Sequence, residues 1–300
     1  MYKRNFFSAR RSISCSMLFA GVLMLTATLA ASAQDLTKYP WLDKSKSFRE
    51  RAVLLCNELT LREKVDQLGN NVSEPIMRNG VVIVPAYQYW NEALHGVARS
   101  GAATSFPTSK AMSATWNPEL VYECAAATSD EARIYHVQTG KGLNYWSPTI
   151  NMSRDPRWGR DEENYGEDPF LAGTLGVQFV RGFQGEITPA TPYYKLVACA
   201  KHFAANNYEQ GRQSTTSFVT EKNMREYYLP AFEMCVRKAG VKSLMAAYNA
   251  LSTDIAEKDA NNRGYKDSHG GLPCAANRML LTDILRTEWG FNGYVTSDCA

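Results

Sequence analysis

From about residue 47 onward, short apolar runs alternate with longer segments in which apolar residues recur at helical spacing. Two of the short runs end at or near a proline, at Pro85 and Pro148, which favours buried strands over helices. The predicted strands cover residues 81–84, 143–146, 196–200, 243–247 and 294–297. Strands of this length that alternate with amphipathic helices are typical of a parallel sheet covered by helices.

Capping residues mark where the intervening helices begin. Ser47 is placed to begin one helix, and Asn117-Pro118 and Asp168-Pro169 each put a capping side chain before a proline at the first helical position. The predicted helices cover residues 118–138, 169–182, 221–238 after the cap Thr220, and 277–288. Each cap is a local signal, so the helix starts are predicted independently of the fold.

Two folds fit this alternation of strands and helices: a (β/α)8 barrel and a doubly wound α/β sheet. A doubly wound dinucleotide-binding fold would carry a G-x-G-x-x-G motif after a strand, and the sequence has none in that position. We therefore expect an α/β fold of the (β/α)8, TIM-like barrel type.

The first 33 residues have the features of a secretory signal peptide. Four basic residues lie within the first eleven positions, an uncharged and largely apolar run covers residues 17–30, and Ala31-Ser32-Ala33 fits a cleavage site. A membrane anchor is the alternative, but a spanning helix needs roughly 20 apolar residues. We expect a folded domain over residues 34–300 that is secreted or periplasmic and is not inserted in a membrane.

The charge of the mature chain argues against a polyanionic partner. Removing the four positive charges of residues 1–33, which contain no acidic residue, changes the formal net charge from +3 to −1. A nearly neutral chain has no electrostatic preference for nucleic acid or anionic lipid. The expected partner is a neutral substrate, and an oligosaccharide meets that description.

Cysteine and histidine spacing predicts neither a metal site nor a cofactor. Six cysteines remain after residue 33 without a C-x-x-C pair, and the four histidines show no H-x-x-x-H or H-x-x-E-H spacing. Buried thiols are favoured over a disulfide framework.

Polar residues follow the ends of several predicted strands. Trp146 ends one strand, Lys201 and His202 follow the next, Tyr248 follows the third, and Asp298 follows the last. Because the carboxyl ends of parallel barrel strands open onto one face, these side chains are expected to meet there. Each also has a purely structural alternative, such as a paired core histidine or a packed tyrosine.

The segment 151–170 holds three arginines, six carboxylates, a tryptophan and a tyrosine in a loop. A solvated charged loop is one interpretation. The other is a packed turn, because Trp158-Gly159 lies between two arginines. A guanidinium held by such a turn suits vicinal sugar hydroxyls.

These segments resemble family 3 glycoside hydrolases. The motifs that carry the resemblance are Tyr-Trp-Asn-Glu-Ala-Leu-His-Gly at 89–96, the Arg-Asp-Pro-Arg-Trp-Gly-Arg run at 154–160, Tyr-Gly-Glu-Asp-Pro at 165–169, Lys-His-Phe at 201–203 and Ser-Asp at 297–298. They occur in the family's order and cover most of residues 47–300.

The resemblance implies a role for each matching position. Asp298 corresponds to the nucleophile that forms a covalent glycosyl–enzyme intermediate. The positions that correspond to sugar-contacting residues are Glu92, Trp146, Arg160, Lys201, His202 and Tyr248. A nearby lysine or arginine is expected to keep the pKa of Asp298 low, so that the carboxylate is ionised. No cofactor is implied.

The sugar is expected to be a β-D-xyloside. A glutamate at position 92 is one methylene longer than an aspartate, and it would occupy the space of the C6 hydroxymethyl group of glucose. The alternatives are a β-glucosidase of the same family, a non-catalytic sugar-binding barrel, and a transglycosylase.

Two departures from the family pattern stand out. The chain ends at Ala300, so the last barrel unit and the second domain, where the family usually keeps its acid/base glutamate, are expected to be missing and residues 34–300 alone to be inactive. The polar stretch 253–271 is longer than the family's usual turn. It is either an insertion that shapes the leaving-group side or a plain surface loop.

Overall fold

The computed structural model describes residues 36–69, 72–254 and 271–299. The proposed signal peptide over residues 1–33 and most of the polar insertion, residues 255–270, lie outside the described residues. The described residues group into two compact units, one of residues 36–64 and 77–83 and one of residues 65–69, 72–76, 84–254 and 271–299. None of the helices in these ranges combines the length and the apolar character needed to cross a bilayer.

Four helices begin directly after the predicted caps Ser47, Asn117, Asp168 and Thr220. The α-helices are α1 (Phe48–Glu58), α2 (Leu61–Asp66), α3 (Ser109–Ser113), α4 (Pro118–Thr139), α5 (Pro169–Gln184), α6 (Glu221–Asn223) and α7 (Pro230–Ala239). Within the described ranges, single turns at Pro40–Leu42, Asp161–Glu163 and Cys274–Ala276 are 3₁₀-helical, and the segments Met224–Tyr228 and Met279–Glu288 are π-helical. The Asn117 side chain accepts a hydrogen bond from the Leu120 backbone N at 3.2 Å, and Asp168 accepts one from Leu171 at 2.7 Å. These caps satisfy backbone donors that the first helical turn leaves open.

The single helix predicted over residues 221–238 is wrong in detail. Thr220 does cap α6, but the chain then passes through the π-helical segment Met224–Tyr228 before α7 begins at Pro230. Proline has no N–H to donate back into a helix. The backbone N–H of Leu229, the residue before this proline, donates to the Met224 carbonyl five residues earlier, at 2.9 Å, which is the π-helical spacing.

The strands are β1 (Val72–Ser73), β2 (Ile76–Arg78), β3 (Val81–Val84), β4 (Tyr87–Gln88), β5 (Asn144–Tyr145), β6 (Val197–Phe203), β7 (Thr216–Phe218), β8 (Ser243–Ala246), β9 (Ala250–Ser252), β10 (Leu272–Pro273) and β11 (Tyr294–Ser297). The central sheet holds four of them in the order β11-β8-β6-β5, and every neighbouring pair is parallel. The predicted parallel sheet is thereby confirmed for these four strands.

Strand β6 is longer than predicted. Lys201 and His202 lie inside it and do not follow it, because pairing continues to the Phe203 carbonyl, which accepts from the Ala247 backbone N at 2.8 Å. Both side chains therefore project from a hydrogen-bonded strand, which limits their freedom more than a loop would.

The helices α4, α5 and α7 form a layer that packs with the sheet around one core. Leu175, Phe179 and Phe183 of α5 are all at most 2% exposed and belong to the same apolar cluster as Tyr145 of β5. Gly182 lets α5 approach α4 closely, because a side chain there would collide with the Tyr122 carbonyl. Burial of this apolar stripe, worth roughly 25 cal/mol per Å² of apolar surface, holds the sheet and so fixes its carboxyl edge.

Candidate active site

Six of the seven side chains predicted to form the site line a single cavity of about 410 Å³. They are Glu92, Trp146, Arg160, Lys201, His202 and Asp298. The seventh, Tyr248, is half-buried and lies behind Cys299, which itself lines the cavity. The cavity lies at the carboxyl ends of the parallel strands, where the sequence pattern predicted that these residues would meet.

Asp298 lies directly after β11 and is 8% exposed. Its Oδ1 accepts a hydrogen bond from the Cys299 backbone N at 2.8 Å, and its Oδ2 lies 3.8 Å from His202 Nε2. A short side chain at the end of a strand, held by a backbone donor, has little rotational freedom. That rigidity suits a group that must attack one atom of a bound substrate.

The expected low pKa of Asp298 is wrong. Burial raises the pKa of this carboxyl above 3.8, and the Cys299 hydrogen bond and the charges of Lys201, Arg160 and Arg212 only partly oppose the shift. Desolvation penalises the ionised form more than three nearby cations favour it. The sequence indicated the cations but not the depth at which the carboxyl is buried.

His202 is neutral and has a fixed tautomer. It is 1% exposed, and burial, followed by the charges of Arg160, Lys201 and Arg212, lowers its pKa well below 6.5. Asn151 Oδ1 lies 3.0 Å from His202 Nδ1, and the Asn151 amide orientation is fixed because its Nδ2 donates to the Asn206 carbonyl at 2.8 Å. The proton therefore resides on Nδ1, and Nε2 faces the cavity as an acceptor.

Glu92 and Lys201 form an ion pair at one end of the cavity. Lys201 Nζ lies 3.2 Å from Glu92 Oε2, and the Trp90 indole N–H donates to Glu92 Oε1 at 3.1 Å. Both carboxylate oxygens are thus held, which fixes how far this side chain reaches. Sequence reasoning did not single out Trp90.

Trp146 contributes to the wall and not to an open platform. It is 1% exposed, and its ring stacks on Trp90 with centroids 5.4 Å apart and an interplanar angle of 12°. The Arg99 guanidinium lies 5.0 Å from the Trp90 ring. The exposed surface that Trp146 can offer a ligand is therefore small.

Arg160 is held by a carboxylate that sequence reasoning missed. Its Nε and Nη2 donate to the two oxygens of Glu163 at 2.7 and 2.8 Å. Burial alone would raise the pKa of Glu163, but the Arg160 hydrogen bonds and charge lower it overall. The same pair raises the pKa of Arg160 although burial opposes that shift, so both groups stay charged. Of the two interpretations of this loop, the packed turn is the one observed, since Trp158 is 6% exposed.

Tyr248 lies two residues after β8, beside the nucleophile candidate. Its hydroxyl is 3.4 Å from Cys299 Sγ, and the Arg212 guanidinium lies 4.6 Å from its ring centroid. Burial, the Cys299 contact and the Asp298 charge raise its pKa, so the phenol stays protonated and remains a hydrogen-bond donor. Arg212 also lines the cavity and was not identified from the sequence.

The cysteines of the described ranges are all free thiols. Cys199, Cys235 and Cys274 are buried as expected, but Cys56 is exposed, because α1 has no buried side chain. Within the same ranges, no three or more His, Cys, Asp or Glu side chains are grouped closely enough to hold a metal ion.

A family model described as the glycosyl hydrolase family 3 N-terminal domain matches residues 52–300. The chain is 38% identical over 289 residues to a xylan 1,4-β-xylosidase of Xylanibacter ruminicola, a match that covers 92% of this chain and 30% of the relative. It is 36% identical over 302 residues to an exo-1,4-β-xylosidase of Emericella nidulans, covering 95% of this chain and 36% of that protein. The chain thus spans about a third of the length of these relatives.

Solved structures of the same family share the fold. A family 3 exo-β-xylosidase in complex with a xylobiose aziridine probe superposes with a TM-score of 0.73 at 34% identity, covering 88% of this chain and 33% of that one. β-Glucosidase 3B from Thermotoga neapolitana, in complex with glucose, superposes with a TM-score of 0.65 at 31% identity, covering 82% of this chain and 33% of that one. The parallel sheet with its outer helices is the TIM-barrel-like α/β arrangement of this domain. The chain therefore belongs to glycosyl hydrolase family 3, and its match lies in the N-terminal domain of that family.

Proposed function

We propose that this chain supplies the sugar-binding wall and the nucleophile of a retaining glycoside hydrolase that releases terminal β-D-xylose from xylo-oligosaccharides. The observation that carries the proposal is the convergence of Asp298, His202, Lys201, Arg160 and Glu92 on one cavity of about 410 Å³. A carboxylate beside fixed hydrogen-bonding groups of both kinds, donors and acceptors, suits a single pyranose ring.

The proposed chemistry has two steps. Asp298 attacks the anomeric carbon, the bond to the leaving oxygen breaks, and a covalent glycosyl–aspartate forms. Water then attacks the same carbon, gives a proton to the conjugate base of the group that protonated the leaving oxygen, and releases the carboxylate. A general acid must protonate the leaving oxygen, and no residue of this chain is assigned that role. We propose that it comes from the part of the protein outside residues 1–300, since the relatives are about three times as long as the match.

The remaining groups hold the sugar. Arg160 and Lys201 donate to hydroxyl oxygens, whereas His202 Nε2 accepts from a hydroxyl because its other nitrogen carries the proton. Charged donors strengthen their hydrogen bonds as charge develops in the transition state. The fixed positions of Arg160 on Glu163 and of His202 on Asn151 reduce the entropy lost when the sugar binds.

A xylose preference follows from the reach of Glu92. Its carboxylate is held at both oxygens by Lys201 and Trp90, so it cannot easily withdraw to admit a hydroxymethyl group. A clash of this size changes specificity by roughly 10- to 200-fold. The alternative is a β-glucosidase, which the similarity to the Thermotoga enzyme supports.

The sugar preference is tested on the intact protein by comparing the turnover of nitrophenyl xyloside and nitrophenyl glucoside. Glu92→Asp should raise the glucoside-to-xyloside ratio of kcat/KM, because the shorter side chain frees space. Glu162→Asp, an exposed neighbour of the site loop, is the matched control and should leave the ratio unchanged. A wild-type glucoside preference that Glu92→Asp does not alter would contradict the proposed role.

Catalysis is distinguished from mere binding by trapping the intermediate. A 2-fluoro-xyloside should label the Asp298 peptide in wild type, and Asp298→Ala should abolish both labelling and turnover. If the protein binds xylose but Asp298→Ala retains its affinity and wild type neither turns over nor becomes labelled, the chain is a sugar-binding barrel. Added sugar acceptors would report any transglycosylation.

Two further parts of the proposal concern the whole protein. We infer that the four parallel strands belong to a complete (β/α)8 barrel, and that residues 1–33 direct export to the periplasm or the medium. Export predicts that the mature protein begins at Gln34, which N-terminal sequencing of the secreted form checks. A cell-associated protein that retains Met1 would refute it.

A further inference from the structure

Glu209 lies in the loop between β6 and β7, outside every motif that the sequence analysis used. Its two carboxylate oxygens contact different parts of the site. Oε2 lies 2.8 Å from Arg212 Nη1, and Oε1 accepts a hydrogen bond from the Trp158 indole N–H at 3.1 Å. The side chains of Glu209 and Arg212 are 28% and 31% exposed, so this contact is partly shielded from water.

On one side, Glu209 reaches the turn that carries Arg160. Trp158 is 6% exposed and lies two residues before Arg160, and the Trp158 carbonyl accepts from the Asp161 backbone N at 3.0 Å. Moving Trp158 would therefore move the turn from which Arg160 enters the cavity.

On the other side, Glu209 reaches the nucleophile through Arg212 and Tyr248. The Arg212 guanidinium lies 4.6 Å from the Tyr248 ring centroid, the Tyr248 hydroxyl is 3.4 Å from Cys299 Sγ, and the Cys299 backbone N donates to Asp298 at 2.8 Å. Arg212 thus has a carboxylate on one side and an aromatic face on the other.

We propose that Glu209 is a positioning residue that connects the Arg160 turn to Arg212 and Tyr248 and so sets the distance across the sugar cavity. This inference deepens the proposed function and rests on it. A guanidinium suits the role because its planar fork can bond a carboxylate while its face lies on a ring. Lysine could not make both contacts with the same geometry.

The charges around Asp298 allow the proposal to be tested by the pH dependence of kcat/KM as well as by stability. The groups that face Asp298 or its neighbours are His202, Lys201, Arg160, Arg212, Tyr248 and Cys299. Three of the cations have a carboxylate partner: Glu92 pairs with Lys201, Glu163 with Arg160, and Glu209 with Arg212. Removing the Glu209 charge leaves Arg212 uncompensated, which favours ionised Asp298. The acid limb of kcat/KM should therefore move to lower pH in Glu209→Gln, and to higher pH in Arg212→Met.

The kinetic test compares variants of the intact protein with wild type on nitrophenyl xyloside. Glu209→Gln and Glu209→Asp should each lower kcat/KM by about 10- to 100-fold, the range for losing a hydrogen bond to a charged group. Glu209→Asp retains the charge, so it should leave the acid limb in place. Gln213→Ala, exposed in the same loop, is the control and should match wild type.

The two partners should act as one unit. The double variant Glu209→Gln/Arg212→Met should be no slower than the slower single variant, because each change breaks the same connection. The proposal is overturned if the losses in kcat/KM of the two single variants multiply in the double variant. It is also overturned if the acid limbs of Glu209→Gln and Arg212→Met do not move in opposite directions.

A structural readout separates this inference from the proposed function. Crystal structures of wild type and Glu209→Ala need no activity, and the variant should show Arg212 displaced from the Tyr248 ring and Trp158 shifted. A protein inactive on every glycoside refutes the proposed function alone. Unchanged positions of Arg212 and Trp158 in Glu209→Ala refute the positioning role, whatever the activity.

Discussion

The coupling free energy between Glu92 and Lys201 can be predicted from the geometry of their ion pair. The two charged atoms are 3.2 Å apart, and the side chains are 22% and 7% exposed. At the effective dielectric constant of about 20 that suits protein sites, Coulomb's law gives an attraction of about 5 kcal/mol. Desolvation offsets part of it, which leaves an expected coupling of about 2–4 kcal/mol.

The perturbation is a double-mutant cycle of Glu92→Gln and Lys201→Met. Each single variant leaves a partner charge at least partly buried and should lower the free energy of unfolding, by up to about 3–5 kcal/mol for the buried Lys201. The double variant should lose less than the sum, and the difference is the coupling free energy.

The assay is urea unfolding of the intact proteins at pH 7. Lys222 and Glu226 provide the control cycle, because their charged atoms are 4.0 Å apart and their side chains are 77% and 68% exposed. That exposed pair should show no measurable coupling. If the losses at Glu92 and Lys201 are simply additive, or match those of the exposed pair, the electrostatic reasoning for the cavity is refuted.

Three further predictions follow from burial and pairing. Burial raises the folded-state pKa of Asp298 above 3.8, so the folded protein holds this proton more tightly than the unfolded chain and loses stability as pH rises from about 4 through the folded pKa. Asp298→Asn should therefore raise the melting temperature at pH 7 while abolishing turnover; a lower melting temperature would contradict the burial argument. Glu163→Gln should raise KM for xyloside about tenfold, because Arg160 loses a charged partner, whereas exposed Glu162→Gln should not. Leu175→Ala in the core of α5 should cost about 2–5 kcal/mol in unfolding free energy without changing KM, and exposed Leu61→Ala provides the comparison.

Local signals in the sequence determined several helix starts and the four strands of the central sheet. Asn117 and Asp168 bond backbone donors only three residues away, so their caps form wherever the helix lies in the fold. The short apolar runs that end near Ala246 and Ser297 predicted strands, because such a run indicates a strand from the local sequence alone. The helix predicted across Pro230 is interrupted, because proline has no N–H with which to continue an α-helix and the segment before it is π-helical.

The composition of the site was also partly determined by the sequence. Strand ends carry Trp146, Tyr248 and Asp298, and a parallel sheet brings strand ends to one edge by its topology. The sequence could therefore predict which residues would meet without any knowledge of the distances between them.

Only the tertiary structure decided how these residues behave. Glu163 on Arg160 and Glu209 between Trp158 and Arg212 depend on loop conformations that no periodic pattern encodes. The raised pKa of Asp298 depends on how much water is excluded by side chains from several separate elements. A sequence identifies charges and their order along the chain, but a pKa and a fixed guanidinium depend on distance and desolvation, which exist only once the chain has folded.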